Sequence, residues 1–174
     1  MSKAVYWWEK AAEQGDVFVQ YNLGCCYENG DVVKKDMSKA VYWWKKAAEQ
    51  GHDYAQYNLG CCYENGDGVK KDMPKAAYWY QKAAEQGNKD AQFNLGICYY
   101  NGKGVKKDMS KAAYWYQKAA EQGHEDAQNS LGCCYYNGKG VKKDMPKAAY
   151  WWEKAAEQGN DKAQYNLNLL RKWI

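Results

Sequence analysis

The sequence predicts an all-α solenoid, a right-handed α/α superhelix of helix-turn-helix repeats with a 36-residue period. Three observations carry that prediction. The pair Leu-Gly recurs at Leu23-Gly24, Leu59-Gly60, Leu95-Gly96 and Leu131-Gly132, with equal steps of 36 (59−23, 95−59, 131−95), and Leu167 follows one period later beside Asn168. A fixed period of roughly twenty to fifty residues marks stacked supersecondary units. Each copy also holds two stretches of helical periodicity divided by turn-forming clusters. Finally, one hairpin of this size cannot bury its apolar face alone, so neighbours must stack into a continuous core.

Taken in order, the chain opens on a single helix, residues 1–14, whose Met1 is in register with Met37, Met73, Met109 and Met145. Four hairpins follow at 16–50, 52–86, 88–122 and 124–158, and a lone helix at 160–174 closes the array. This gives ten helices in one repeat domain, 1–174. The first helix of a hairpin is clearest in the second copy, where Ala55, Leu59, Cys62 and Tyr63 fall on one face. Asn65-Gly66-Asp67-Gly68 ends it, a cluster unsuited to a helix interior. Asp72 then offers an N-cap oxygen to the second helix, and Pro74 stands in its first turn, where the missing N–H costs nothing. Pro146 repeats this arrangement, while Ser38 and Ser110 take the equivalent positions. The second helix is expected to bury Ala76, Tyr80, Ala83 and Ala84 and to stop at Gly87, a natural C′ residue. Asn88 can cap the next helix. His52 and His124 hold that position elsewhere, as weaker caps. Gly60 and Ala83 are expected to let two backbones approach while Trp or Tyr fills the space beside them.

Composition narrows the function classes. Charged residues are 26 % and the net charge is +4, which is not the balance of a strongly basic nucleic-acid binder. Aromatics reach 16 %, mostly 17 Tyr and 9 Trp, side chains suited to half-buried interfaces. Mean hydropathy is −0.92, and no apolar run approaches the roughly eighteen residues of a membrane span. The N-terminal stretch copies the internal repeat, so it does not read as a signal peptide. Six of the seven cysteines sit as adjacent pairs, Cys25-Cys26, Cys61-Cys62 and Cys133-Cys134, and Cys98 follows Ile97. An odd number cannot pair completely, and helix neighbours point about a third of a turn apart. Equivalent helices packed about 8–10 Å apart exceed disulfide reach and spread four thiolates too far for zinc. The cysteines therefore read as reduced, small hydrophobes, and the expected setting is a reducing, cytoplasmic one.

The string A-x-x-x-L-G-x-x-Y-x-x-G-x-G-V-x-x-D-x-x-K-A-x-x-W-x-x-K-A-A-E-Q-G resembles the Sel-one-like repeat, a relative of the tetratricopeptide repeat, over nearly the whole chain. The resemblance implies α/α hairpins with a concave inner face, and an adaptor for other proteins rather than an enzyme. In the cysteine-rich secreted branch of that family, disulfides tie the helix junction. The corresponding places here are Ala48, Ala84 and Ala120 facing Ala55, Ala91 and Ala127, which removes the family-based case for secretion. Similarity to tetratricopeptide geometry implies that Tyr54, Tyr57, Asn58, Cys61, Glu64 and Asn65 face the groove, with Tyr100 one period after Glu64. Stepping by the period yields an aromatic column, Tyr21, Tyr57, Phe93 and Tyr165, interrupted by Asn129. An amide column, Asn22, Asn58, Asn94 and Asn166, is interrupted by Ser130. Amides both donate and accept, so such a ladder can satisfy an extended peptide backbone. Flanking aromatics add contact area at low entropic cost. The competing explanation is that these Asn residues only hold adjacent helices together.

Other chemistry is poorly supported. The loops Lys34-Lys35, Lys70-Lys71, Lys106-Lys107 and Lys142-Lys143 form a basic stripe that reads as a solvated edge, and nucleic acid is a minor expectation. Glu64-Asn65-Gly66-Asp67-Gly68 lacks the order and terminal Glu of a calcium loop, and later copies carry Lys103 and Lys139 at the Asp67 position. No phosphate loop or nucleophile-base arrangement is present, and near-identical copies offer no asymmetric catalytic constellation. No metal or cofactor is expected. The Tyr-Trp-[Trp/Tyr] triplets read as packing. At the ends, Trp8 lacks a hairpin partner, and Leu169-Leu170-Arg171-Lys172-Trp173-Ile174 replaces the usual Cys-Cys-Tyr stretch. Those departures fit a terminal cap, or head-to-tail pairing of helix 160–174 with helix 1–14 of another copy. The expected function is a scaffold binding a peptide or protein segment. The alternative is a self-associating or engineered consensus array, or a fragment of a longer one, with no dedicated ligand.

Overall fold

The computed structural model describes residues 3–30 and 32–171, which form ten α-helices and no strand. Met1 and the final Lys172-Trp173-Ile174 lie outside the described residues, as do the expectations placed on them. Contacts divide the chain into two compact units, Met1–Asn88 and Lys89–Ile174. The first holds α1 (Lys3–Glu13), α2 (Val17–Asn29), α3 (Met37–Glu49), α4 (Asp53–Asn65) and α5 (Met73–Glu85). The second holds α6 (Lys89–Asn101), α7 (Met109–Glu121), α8 (Glu125–Asn137), α9 (Met145–Glu157) and α10 (Asp161–Arg171). The even-numbered helices through α10 are the first members of hairpins, and the odd-numbered ones the second. The all-α repeat class with its 36-residue period is the one observed.

Local chemistry explains the boundaries. Asp36, Asp72, Asp108 and Asp144 are extended, and each Oδ1 accepts from the N–H three residues on, at 3.0–3.1 Å. Such a cap is worth about 1 kcal/mol. At the other end, Gly87 has φ 97°, and the N–H groups of Gly87 and Asn88 donate back to Ala84 and Ala83. That paired closure satisfies carbonyls a helix end leaves open. His52 and His124 do cap α4 and α8: each Nδ1 accepts from an alanine N–H at 3.3 Å. Asn160 does the same for α10 through Oδ1 at 3.0 Å.

In the first unit α2 pairs with α3 and α4 with α5, and α3 also packs on α4. In the second, α6 pairs with α7 and α8 with α9, and α7 packs on α8. Leu23, Leu59, Leu95 and Leu131 are fully buried, as are Ala55, Ala76, Tyr80 and Ala83. Ala84, expected in the core, is buried as well. The expected ring beside each helix glycine is present. A Cβ on Gly24, Gly60, Gly96 or Gly132 would lie 2.4–2.6 Å from the ring of Trp44, Tyr80, Tyr116 or Trp152 respectively. Each glycine makes a slot for the last ring of the following triplet. The remaining triplet residues are graded outward: Trp79 is half-buried and Tyr78 exposed.

A buried amide ladder was not anticipated. Gln56 is nearly inaccessible; its Nε2 donates to the Ala48 carbonyl at 3.0 Å, and its Oε1 accepts from Gln86 Nε2 at 2.8 Å. Gln20 makes the same pair of bonds with Ala12 and Gln50, and Gln128 does so with Ala120 and Gln158. The bond to the alanine carbonyl ties each of these helices to the element before it, the Gln–Gln bond closes its own hairpin, and together they satisfy a polar group in the core.

Candidate peptide-binding face

The first helices of the hairpins carry the expected columns, and the structure places their members differently. In the first unit Tyr21 stacks on His52 at 4.4 Å with 17° between planes, Phe18 meets the same imidazole edge-on at 5.7 Å, and Tyr54 lies 6.3 Å from Tyr21. Tyr57 tilts against Tyr80 at 6.1 Å. In the second unit Phe93 faces both Tyr116, at 5.8 Å, and His124, at 4.5 Å. Tyr21, Tyr57 and Phe93 are therefore half-buried, braced from beneath by core rings, whereas Tyr54 and Tyr165 are more than half exposed. Burial, then a hydrogen bond with Cys25, pushes the Tyr21 phenol up to about 12.

Among the amides, Asn22 is exposed and Asn58 and Asn94 are half-buried. Asn166 donates to Asn129 Oδ1 at 3.1 Å and to Cys133 Sγ at 3.7 Å, so in α10 the amide does hold adjacent helices. Glu64 accepts the Tyr80 hydroxyl at 2.6 Å and spends its carboxylate internally. Asn65 is exposed at the end of α4. Tyr100 accepts from Lys139 Nζ at 3.0 Å, and the same ammonium lies 5.4 Å from its ring.

Sequence reasoning missed the histidines as part of this face. The available signal was that each His follows an aromatic residue of the preceding first-type helix at the same interval, 31 residues (52−21 and 124−93), at Tyr21 and Phe93. Burial lowers both imidazoles from the usual 6.5, so they are neutral and can accept at Nδ1; Asp90, 3.6 Å from His124 Nε2, partly opposes this. The two half-exposed thiols Cys61 and Cys133 are raised by burial, Cys62 is pushed up to about 12 and Cys134 to about 11. Neutral thiols are poor nucleophiles and poor metal ligands. No disulfide joins the seven cysteines.

Two equivalent cavities open beside these residues, three periods apart. One of about 390 Å³ lies in the first unit beside Trp8, Asn22, Cys25 and Asn29. The other, about 170 Å³, lies in the second beside Tyr116, Ser130, Cys133 and Asn137, with Tyr100 and Lys139 at its rim. On the loop edge, the Lys-Lys-Asp segments line open grooves of about 600, 660 and 650 Å³. There Lys39, Lys75 and Lys147 lie 5.0–5.4 Å over Tyr27, Tyr63 and Tyr135, each ammonium set against a ring face. Among the described residues no three His, Cys, Asp or Glu side chains converge to hold a metal ion, and no helix is long and apolar enough to cross a membrane.

Comparison with known proteins gives a consistent picture. The family model described as Sel1 repeat matches residues 1–16, 17–52, 53–88, 89–124 and 125–160. Among solved structures, c5321, a protective antigen of uropathogenic Escherichia coli displaying an SLR fold, is 42% identical with a TM-score of 0.92. That match covers 96% of this chain and 36% of the antigen. A Sel1 repeat protein from Oxalobacter formigenes is 40% identical with a TM-score of 0.84, covering 88% of this chain and 63% of that one. Helicobacter pylori cysteine rich protein B is 34% identical with a TM-score of 0.60, covering 79% and 99%. The chain thus spans about a third of the first of these and under two thirds of the second. A search of curated proteins returns no match.

Proposed function

Because the chain belongs to the Sel1 repeat family, whose members generally act as protein-interaction scaffolds, we propose that it is a non-enzymatic adaptor taking a peptide or protein segment on the face of its first helices. What supports this is a set of large amphipathic side chains left unspent there. Tyr54 and Tyr165 are more than half exposed, and the Asn58 and Asn94 amides stand beside braced aromatic rings. Rigid aromatics supply contact area and amides supply paired donors and acceptors for a backbone. A reducing, cytoplasmic setting belongs to the proposal, supported by thiols that burial keeps neutral.

Peptide-library selection on the intact chain tests it. Selected segments are expected to lose about tenfold in affinity with Asn58→Ala or with Asn94→Ala, the size of one charge-free hydrogen-bond pair lost at an interface. Unchanged binding in both variants would move the site off this face.

A second reading is favoured by the exposed apolar ends: Trp7 is 67% and Phe18 72% exposed in the first unit, and Leu169 is 39% exposed in α10. In this reading copies associate through these faces. A hairpin-like register would set Asn168 against Trp8 of another copy, yet the glycine at that position leaves no room for a Cβ beside Trp44. Pairing in that register requires the Trp8 ring to swing aside from Asn168. Light scattering over a wide concentration range decides it, a constant monomer mass being the adverse result.

A further inference from the structure

The copies are nearly identical, so correlated departures at one place stand out. In the first unit the residue two before the glycine that ends the first helix is acidic, Glu28 and Glu64, whereas the second unit has Tyr100 and Tyr136 there. At the Asp67 position the second unit has Lys103 and Lys139. In the fourth copy alone, Ser130 replaces the amide of Asn58 and Asn94, and Asn129 replaces the aromatic residue before it.

The physical consequence shows between the end of α6 and the turn after α8. In the first unit Glu64 is consumed by the Tyr80 hydroxyl at 2.6 Å. In the second unit the same position is the neutral phenol of Tyr100, which accepts from Lys139 at 3.0 Å. An ammonium has three donors, so this single neutral oxygen leaves Lys139 with donors and a full charge to offer. The largest electrostatic influences on Lys139 come from Tyr100, Cys134 and Cys133.

The same ammonium stands at the rim of the cavity of about 170 Å³. That is room for a carboxyl group on a short aliphatic stem. Ser130, shorter than the asparagine it replaces, lines this space. Asn137 commits one amide hydrogen to the Cys133 carbonyl at 2.9 Å and keeps the second. The equivalent cavity in the first unit is more than twice as large, has Asn22 in place of Ser130, and has no lysine in its lining.

We propose that the cavity bounded by Tyr100, Tyr116, Ser130, Asn137 and Lys139 is a carboxylate subsite, which takes an acidic side chain or a free C-terminus of the bound segment with its oxygens on Lys139 Nζ. A charge-assisted bond to an ammonium at the rim of a partly enclosed cavity supplies the attraction, and the neutral hydroxyl and amide donors supply the orientation. The segment as its source rests on the adaptor reading; the carboxylate site itself does not.

The experiment titrates the intact, 15N-labelled chain with three small probes and follows the amide signals of Ser130, Cys133, Asn137 and Lys139. N-acetylglutamic acid amide carries only a side-chain carboxylate, N-acetylglutamine only a terminal one, and N-acetylglutamine amide neither. Saturable shifts with one or both acids and none with the neutral probe are expected, and the stronger acid identifies the source. Lys139→Gln should weaken the acid at least tenfold and Lys139→Arg should retain it; Lys139 is exposed, so both variants keep the fold. Absent shifts, equal shifts with the neutral probe, or unchanged binding in Lys139→Gln would overturn the subsite. Peptides that bind this face with no acidic preference and no dependence on Lys139 would sink the subsite and leave the adaptor reading standing. Binding of the acids with no selectable peptide would do the reverse.

Discussion

Gly60→Ala tests the packing logic of the repeat most directly. An added Cβ would lie 2.6 Å from Cδ1 and Cε1 of Tyr80 and 3.3 Å from Cγ, closer than such contacts are found. The ring cannot easily retreat, because Tyr80 is fully buried and its hydroxyl is held by Glu64 at 2.6 Å. Overpacking of this kind costs about 1–3 kcal/mol. Displacing the ring from Glu64 adds about 1 kcal/mol. Replacing a mid-helix glycine by alanine returns about 1 kcal/mol of helix propensity. The net expectation is a loss of about 1–3 kcal/mol. Urea unfolding followed by tryptophan fluorescence gives the total, and hydrogen exchange of α4 and α5 amides places it, since repeat arrays open in parts. The decisive control is the same change in a Tyr80→Leu background, where the ring is gone and only propensity remains, so Gly60→Ala should then stabilise by about 1 kcal/mol. A stabilising Gly60→Ala in the unmodified chain would refute the slot argument.

Further outcomes follow from the same geometry. Gln56→Leu strips both ladder bonds and should cost about 1–2 kcal/mol in the same unfolding assay, whereas Gln86→Ala, at an exposed side chain that water can replace, should cost less than about 1. Burial lowers the folded-state values of His52 and His124 below the unfolded 6.5, so below that pH the unfolded chain binds more protons. Stability should therefore be flat above about pH 7 and fall as pH drops through 6.5, and His52→Asn with His124→Asn should remove that slope, since Asn160 shows that asparagine caps without titrating. Alkylation at neutral pH should reach the buried Cys62, Cys98 and Cys134 last, and denaturation without reductant should expose seven thiols; a substantial oxidised fraction would overturn the reducing setting.

Much of this was legible in the residue order because it depends on local chemistry. A period of 36, Asp before each second helix and Gly after it are statements about backbone caps and turns, which neighbours in sequence decide. The identity of the buried face also followed from spacing: Ala76, Tyr80, Ala83 and Ala84 lie on one side of α5, and that side is buried. The candidate face was only partly legible. Asn58 and Asn166 look alike in the repeat, yet Asn166 is spent on Asn129 because the fourth copy broke its column there. Glu64 looks like a free groove carboxylate until the Tyr80 hydroxyl is placed against it.

By itself, then, the sequence determined the helices, their caps, their period and the family of hairpin they build, since each rests on interactions within a few residues. Only the tertiary structure decided which polar groups remain available. Gln56 becomes a buried tie to Gln86 at the far end of its hairpin, Gly60 becomes a slot for Tyr80, and Lys139 meets a phenol instead of a carboxylate. The physical reason is that these outcomes depend on groups 20–39 positions apart in the chain, brought together by the stacking of one helix on the next.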